Sequence, residues 1–215
     1  MIHDFSNTNS IFNAFLSEMR DTSIQTDSMR FRKNLERIAE VMAYEVSKKL
    51  DYEAHVVTTP LGEAKTFRLK EQPVLATILR AGLGMHNGLL NYFDKAESAF
   101  ISAYRKHSTA ENFEIYVEYI ASPSIDGKVV IISDPMLATG SSMVTVYKAL
   151  LQQGKPAKIH IISAIAHPDA IQFVREHLPD TTEFWVGAID SELTAQSYIV
   201  PGMGDAGDLA YGTKL

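Results

Sequence analysis

KVVIISDPMLATGSS, residues 128–142, is the stretch on which the fold turns. Val129-Val130-Ile131-Ile132 is a continuous β-branched run, the pattern of a strand buried on both faces. It ends in a single acid, Asp134, followed by Pro135-Met136-Leu137 and then by small, flexible residues, Ala138-Thr139-Gly140-Ser141-Ser142. A helical pattern starts at about Met143. A loop between a strand and a helix start is chemically an anion cradle. The unpaired N–H groups of the first helical turn point at one place, and the helix dipole adds partial positive charge. Gly140 lets the backbone approach closely, and Thr139, Ser141 and Ser142 add hydroxyl donors. Charge-assisted hydrogen bonds of this kind contribute about 1.5–3 kcal/mol each. An acid just ahead of the cradle suits the hydroxyls of a sugar whose phosphate sits in it. The GxxxxGK[ST] pattern and its lysine are absent, which excludes a nucleoside-triphosphatase P-loop. A plain strand-to-helix turn with a Ser/Thr cap remains the competing reading.

Outward from this loop the same rhythm repeats. Apolar, β-rich runs occupy 54–59 (AHVVTT), 73–79, 158–166 and 182–189, and helical patterns occupy 85–93, 142–154 and 169–178. Strands alternating with helices predict an α/β fold, a parallel sheet with helices on both faces. Ligands of such sheets bind beyond the carboxyl ends of the strands. Nearer the N-terminus, Ile11, Phe15, Leu16 and Met19 follow Ser10 at helical spacing. Asp27 or Ser28 caps a second helix to about Leu50, with Leu35, Ile38, Met42 and Val46 on one stripe. Residues 98–121 break the rhythm: FISAYRK and NFEIYVEYI, the second strictly alternating, predict an antiparallel β-arm suited to covering a site or pairing with another subunit. No linker or repeat divides residues 1–215, so the expectation is one domain, with 190–215 as a separate functional tail.

Composition narrows the function classes. The chain has 215 residues, 46% apolar and 21% charged, with net charge −6 and no cysteine. Disulfides, thiolate metal sites and a cysteine nucleophile are therefore excluded. A net acid is a poor general partner for nucleic acid or anionic membrane, although a local basic pocket for a phosphate ligand is compatible with it. MIHDFSNTNS has no signal-peptide character, and no apolar run reaches a membrane span, so the expected location is cytoplasmic. The seven histidines form no HExxH, and there is no GxSxG elbow. His86 reads as an ordinary polar residue near a loop, and His167 as a helix-start residue. Gly202–Gly207 matches GxGxxG but lacks the strand, helix and downstream acid that a dinucleotide site requires.

DPMLATGSS resembles the phosphoribosyl-pyrophosphate (PRPP) loop of type I phosphoribosyltransferases. Its form, with Pro135 after one acid, resembles that of uracil phosphoribosyltransferases. ILRAGLGM (78–85), Tyr104-Arg105 and YIVPGMGDAGDLAYGTK (198–214) match that family in order, and EMRD (18–21) and Phe31-Arg32 agree. The resemblance implies transfer of a phosphoribosyl group from PRPP to uracil, giving UMP and pyrophosphate, with magnesium held mainly by PRPP and few protein groups. It implies ribose-phosphate binding by Asp134, Pro135, Met136, Leu137, Ala138, Thr139, Gly140, Ser141 and Ser142, with Asp134 on the ribose hydroxyls. Arg80 and Arg105 would contact pyrophosphate. Main-chain groups around Ile199 and the Gly204-Asp205-Ala206 turn would read uracil, and Asp205 would also serve PRPP through magnesium or its water. Asp134, Asp205 and Arg105 are the implied catalytic set, while Asp208 and Tyr211 are expected to be structural. A homodimer or homotetramer and a GTP effector are further implications. Two departures stand out. Ser141 replaces the family's usual glycine, which would strain the loop if that position needs φ > 0. The arm after Arg105 also diverges. Two alternatives stay open: a phosphoribosyltransferase-fold regulator of pyrimidine genes that binds RNA, which the charge disfavours, and a dinucleotide oxidoreductase, which the failed GxGxxG context disfavours.

Overall fold

The computed structural model describes residues 1–107 and 113–214. In chain order these form β1 (Ile2–Asp4), α1 (Ile11–Arg20), α2 (Ser28–Ser47), β2 (Tyr52–Thr59), β3 (Gly62–Leu69), β4 (Val74–Leu79), α3 (Leu83–Leu90), β5 (Glu97–His107) and β6 (Phe113–Ala121). They continue with β7 (Val129–Ser133), β8 (Met136–Leu137), α4 (Ser141–Leu150), β9 (Lys158–Ala166), α5 (Pro168–His177), β10 (Glu183–Ile189), β11 (Glu192–Leu193), β12 (Ile199–Val200) and α6 (Ala206–Tyr211).

The main sheet runs β1-β10-β9-β7-β4-β5-β6 and is parallel except where β6 returns antiparallel along β5. The four central strands β4, β7, β9 and β10 send side chains into two separate cores, one on each face. Leu75, Ile131, Ile162 and Trp185 pack with residues of α1, α2 and α3, including Phe12, Leu35, Met42 and Leu89. Val74, Ala76, Ile132, Ile161 and Val186 pack on the other face with Val146, Leu150 and Val174 of α4 and α5. The expected doubly covered sheet is therefore present. Chain direction across it reverses between β4 and β7: β4 leads outward to β5, and β7 leads the opposite way to β9 and β10. Val74 through Thr77 lie level with Val130 through Ser133, so the segments after Leu79 and Ser133 open side by side.

Helix ends follow their local chemistry. Ser10 and Asn13 form a reciprocal capping box at α1, and Asp27 accepts from Met29 N–H and Arg30 N–H at α2. His167 caps α5 ahead of Pro168. Two expectations need correction, and one strand was not anticipated. AHVVTT does not join the parallel sheet. It pairs with Gly62–Leu69 across Pro60-Leu61 as a separate hairpin, because a partner two residues away closes far less chain than the sheet edge does. The polar N-terminus supplies β1, added to the edge of β10. Helix α2 stops at Ser47 and gives way to a turn before Leu50.

Near the amino ends of β9 and β10 lies a polar cluster inside an apolar layer. The fully buried His160 accepts from Trp185 Nε1 at Nδ1, 3.1 Å away, and among the described residues its Nε2 has no partner. His3 stacks on Trp185 at 3.7 Å. Glu183 is held by His3 and Lys158 at 2.7 and 2.6 Å. Burial, helped by the nearby Lys158 charge, lowers the His160 imidazole from 6.5 to about 4. Burial acts to raise the Glu183 carboxyl, but the bonds from Lys158 and His3 outweigh it and leave it at about 2.

A histidine depressed in the fold binds fewer protons folded than unfolded. Its contribution is complete above 6.5 and is lost as pH falls toward 4. The loss is on the order of 3 kcal/mol across that window. His160→Gln keeps an acceptor for Trp185 without the titration. Its melting temperature relative to wild type should therefore rise steadily as pH is lowered from 6.5 to 4. A difference that stays flat across the series rules out the buried neutral imidazole as the origin of acid sensitivity.

Candidate active site

At the reversal point a cleft of about 760 Å³ opens over the carboxyl ends of β4 and β7. Arg80 and Ala81 line it from the loop after β4. Asp134, Met136, Ala138 and Ser142 line it from the stretch after β7, and Gly204, Asp205, Ala206 and Gly207 from the tail. Three segments far apart in sequence thus converge on one space, as the position of switch-point ligands requires.

The loop after β7 is better tied down than its composition suggests. Met136 and Leu137 form the two-residue strand β8 along β9. Pro135 O accepts from Ile165 N–H at 3.0 Å and Leu137 O from His167 N–H at 2.9 Å. Pro135 and Leu137 are buried and face away from the cleft, so they serve it by fixing the main chain between Asp134 and Ala138. Gly140 carries the turn into α4 with φ of 79°, and a Cβ there would stand 2.8 Å from Val174 Cγ2 and 2.9 Å from Ala170 O. Having no side chain, Gly140 gives α4 no cap. Thr139 Oγ1 reaches Ser141 N–H at 3.4 Å and Ser141 Oγ at 3.3 Å. The N–H groups of the first turn have no partner within the helix. Ser141 is the first residue of α4. Among the described residues Ser197 alone, at 64°, is a non-glycine with positive φ. The strain considered for Ser141 is therefore absent: the left-handed position is Gly140, one residue earlier.

Asp134 lies at the floor of the cleft. Burial pushes its carboxyl up to about 7, against a lowering bond from the Met136 backbone. Arg80 donates from Nη2 to Asp208 Oδ1 at 3.1 Å and to Gly212 O at 3.2 Å, holding the tail while lining the cleft. The structural role expected of Asp208 is thus a bond to a cleft arginine. Asp205 caps α6 through Asp208 N–H at 3.0 Å and also lines the cleft. Ile199 is buried in the short pair with β11 and does not itself line the cleft, whereas its neighbour Tyr198 does. The side chains of Tyr104 and Arg105 lie outside the described residues, although their backbone belongs to β5. The strand before Gly202 is the two-residue β12 in a separate pair with β11, and the helix after it has six residues. That is no dinucleotide-binding unit.

Sequence reasoning missed several neighbours. Ser102 and Ala103 of β5, Gln196 and Ser197 of the β11–β12 turn, and Lys214 also line the cleft. Lys214 was the most accessible to foresight, as a lone cation ending a tail already singled out. His86 is fully buried rather than an ordinary polar neighbour. Its Nδ1 meets Thr77 Oγ1 at 2.7 Å, its Nε2 meets Ser98 Oγ at 3.1 Å, and Thr77 Oγ1 meets Ser133 Oγ at 3.1 Å. A chain of buried hydrogen bonds thus links β5, β4 and β7 directly beneath the loops of Arg80 and Asp134.

Known proteins resemble this chain in sequence and in fold. A family model described as uracil phosphoribosyltransferase matches residues 6–213. The chain is 59% identical over 206 residues to a uracil phosphoribosyltransferase of Porphyromonas gingivalis, covering 96% of this chain and 95% of that one. It is 38% identical to one of Thermococcus gammatolerans, covering 93% and 88%. Among solved structures, the AQ2163 protein from Aquifex aeolicus superposes with a TM-score of 0.87 at 29% identity, covering all of both chains. A hypoxanthine phosphoribosyltransferase from Staphylococcus aureus shares the fold, with a TM-score of 0.52 at 16% identity over 86% of this chain and 84% of that one.

Gly140→Ala tests the loop directly. The added methyl meets both a left-handed backbone and the Ala170 carbonyl, at a cost of about 1–3 kcal/mol. The expected outcome is a lower melting temperature together with an affinity for PRPP reduced by at least about tenfold, measured by calorimetric titration. Wild-type affinity would show that the cradle does not depend on this backbone.

Proposed function

The chain belongs to the uracil phosphoribosyltransferase family, and from that premise we propose how the cleft divides the work. The protein transfers the phosphoribosyl group of PRPP to uracil, giving UMP and pyrophosphate. The base nitrogen bonds to ribose C1 as the bond from C1 to pyrophosphate oxygen breaks, and the nitrogen's proton leaves. No covalent enzyme intermediate is needed. The work is alignment and charge stabilisation.

In this reading the first turn of α4 and the Ala138–Ser142 loop hold the 5-phosphate, and Asp134 meets the ribose hydroxyls. Arg80, and Arg105 from the arm, hold the pyrophosphate with planar forks suited to phosphate oxygens. The main chain at Ile199 and at Gly204–Ala206 meets the edge of uracil. The observation that carries the proposal is the convergence of Arg80, Asp134, Ser142 and Gly204–Ala206 on one cleft. The RNA-binding alternative draws no support from the family match.

Magnesium fits this donor set. Among the described residues no cluster of three acids or histidines gathers to hold a metal. The cleft nonetheless presents the carboxylates of Asp134 and Asp205, hard oxygens of the kind magnesium takes. Those two residues would contact magnesium brought in by PRPP, where its charge supports pyrophosphate departure. The expected assembly is a homodimer or homotetramer. The projecting β2–β3 hairpin supports it, because Val56, Leu61 and Phe67 are 52%, 100% and 72% exposed there. GTP as effector is carried over from the family resemblance. A cytoplasmic location accords with the finding that no described helix is long and apolar enough to cross a membrane.

UMP formation from PRPP and magnesium with a panel of bases tests the reading. Uracil should be used, and cytosine, hypoxanthine and adenine rejected. Cytosine turns an amino donor toward a site built for a carbonyl, a mismatch worth ~10⁴-fold in kcat/KM. Turnover of a purine with uracil inert would overturn the assignment.

Asp205→Asn separates capping from chemistry. Asn caps helices about as well as Asp, so stability should change by less than about 1 kcal/mol. Turnover should fall ~10²-fold with the fold intact, and partly recover at high magnesium. Near wild-type kcat across a magnesium series would confine Asp205 to capping α6.

A further inference from the structure

The tail that presents Ile199 and Gly204–Ala206 turns between them at Pro201-Gly202, and the outside of that turn is held by one ion pair. Arg20, the last residue of α1, grips Asp190 at the end of β10 with both arms: Nη1 to Oδ2 at 2.6 Å and Nη2 to Oδ1 at 3.0 Å. The same pair takes both main-chain groups of Gly202. Arg20 Nη1 donates to Gly202 O at 3.1 Å, and Gly202 N–H donates to Asp190 Oδ2 at 2.9 Å. The Asp190 side chain is 9% exposed and that of Arg20 24%, so the clip is screened little by water. Gly202 itself has φ of 55°, and a Cβ on it would come within 2.1 Å of Ile199 O. The clip thus holds, by both its main-chain groups, the residue at which the chain folds back closely over Ile199. Gln25 adds to it. Its Nε2 donates to Met19 O and Arg20 O at 3.0 and 3.1 Å, and its Oε1 would lie 3.9 Å from a Cβ on Gly204.

We propose that Arg20 and Asp190 are positioning residues for base recognition: they fix the Gly202 peptide, and with it the spacing between the main-chain groups at Ile199 and Gly204–Ala206 that select uracil. The proposal rests on the reading that this tail meets the base. Neither side chain lines the cleft, so their action on substrate runs through the backbone they hold. A main-chain recognition surface has no side-chain rotamers to adjust. Small displacements of the turn therefore appear directly as misaligned hydrogen bonds to the base. The guanidinium is required because its planar fork meets two carboxylate oxygens and a carbonyl at once, which a lysine ammonium does not.

The test is steady-state kinetics of Arg20→Lys, with Asp190→Asn as a second variant and Gly204→Ala as a probe of the tail. Arg20→Lys keeps a cation beside Asp190, so no buried carboxylate is abandoned and folding is preserved. The expected result is a rise of about tenfold in uracil KM at saturating PRPP, with PRPP KM held within about twofold. Cytosine use relative to uracil should rise in the same variant. Asp190→Asn keeps an acceptor for Gly202 N–H but loses the charged fork, and should raise uracil KM in the same direction. Gly204→Ala, at φ of 84°, should also raise uracil KM. If Gly204→Ala does so while Arg20→Lys lowers only the melting temperature, the clip is structural and the proposal fails alone. If Arg20→Lys raises both KM values equally, the cleft has loosened as a whole and the proposal likewise fails. If Gly204→Ala leaves uracil KM unchanged, the tail does not read the base, and both readings fall together.

Discussion

Burial of the main sheet on both faces constrains everything else in this protein. The strands carry apolar side chains up and down, packed against α1, α2 and α3 on one side and α4 and α5 on the other. Polar chemistry has little room within such a slab, so it is displaced to the strand ends, where the chain must leave the sheet in any case. The reversal between β4 and β7 then decides which ends matter. There two adjacent loops diverge to opposite faces and leave a cleft between them.

The sheet is not wholly apolar, and the exceptions are informative. Ser98, His86, Thr77 and Ser133 run a line of hydrogen bonds across β5, β4 and β7 immediately below the cleft. Burial lowers the His86 imidazole, so it sits there neutral, accepting at one nitrogen and donating at the other. This line ties the strand that ends in Asp134 to the strand that leads to Arg80. The second polar cluster, around His160, lies at the opposite end of the strands and touches no cleft residue. One end of the sheet thus carries the cleft, while the other carries a buried imidazole bonded to Trp185.

The cleft is built largely from main chain. The loop after β7 is stitched to β9 by its carbonyls, and the tail turns through Gly202, where a Cβ would stand 2.1 Å from Ile199 O, and through Gly204 at φ of 84°. Arginine side chains hold that tail from three directions. Arg20 takes Gly202, Arg32 of α2 donates to Ala210 O at 2.6 Å, and Arg80 takes Gly212 O and Asp208. Backbone recognition is rigid only when the backbone is braced, and these bonds are its braces. They also give the N-terminal helices a role beyond covering the sheet.

The alternation of apolar runs and helical periods was enough to predict the parallel sheet and its two helical layers, because burial on both faces writes itself into residue type. The loop at 134–142 and the tail at 198–214 were legible for a related reason: glycine, hydroxyl and acid at fixed spacing are what a backbone anion site and a glycine-built turn require. Pairing partners were less legible. AHVVTT looks the same whether it enters the main sheet or closes on its neighbour, and the N-terminal Ile2–Asp4 carries no period at all. The location of positive φ was also undecided, and it proved to be Gly140 rather than Ser141. Nothing local links Arg20 to Asp190, 170 positions away, or His86 to Ser133. Such bonds depend on which strand ends and helix ends meet, and that is settled only when the whole chain has packed.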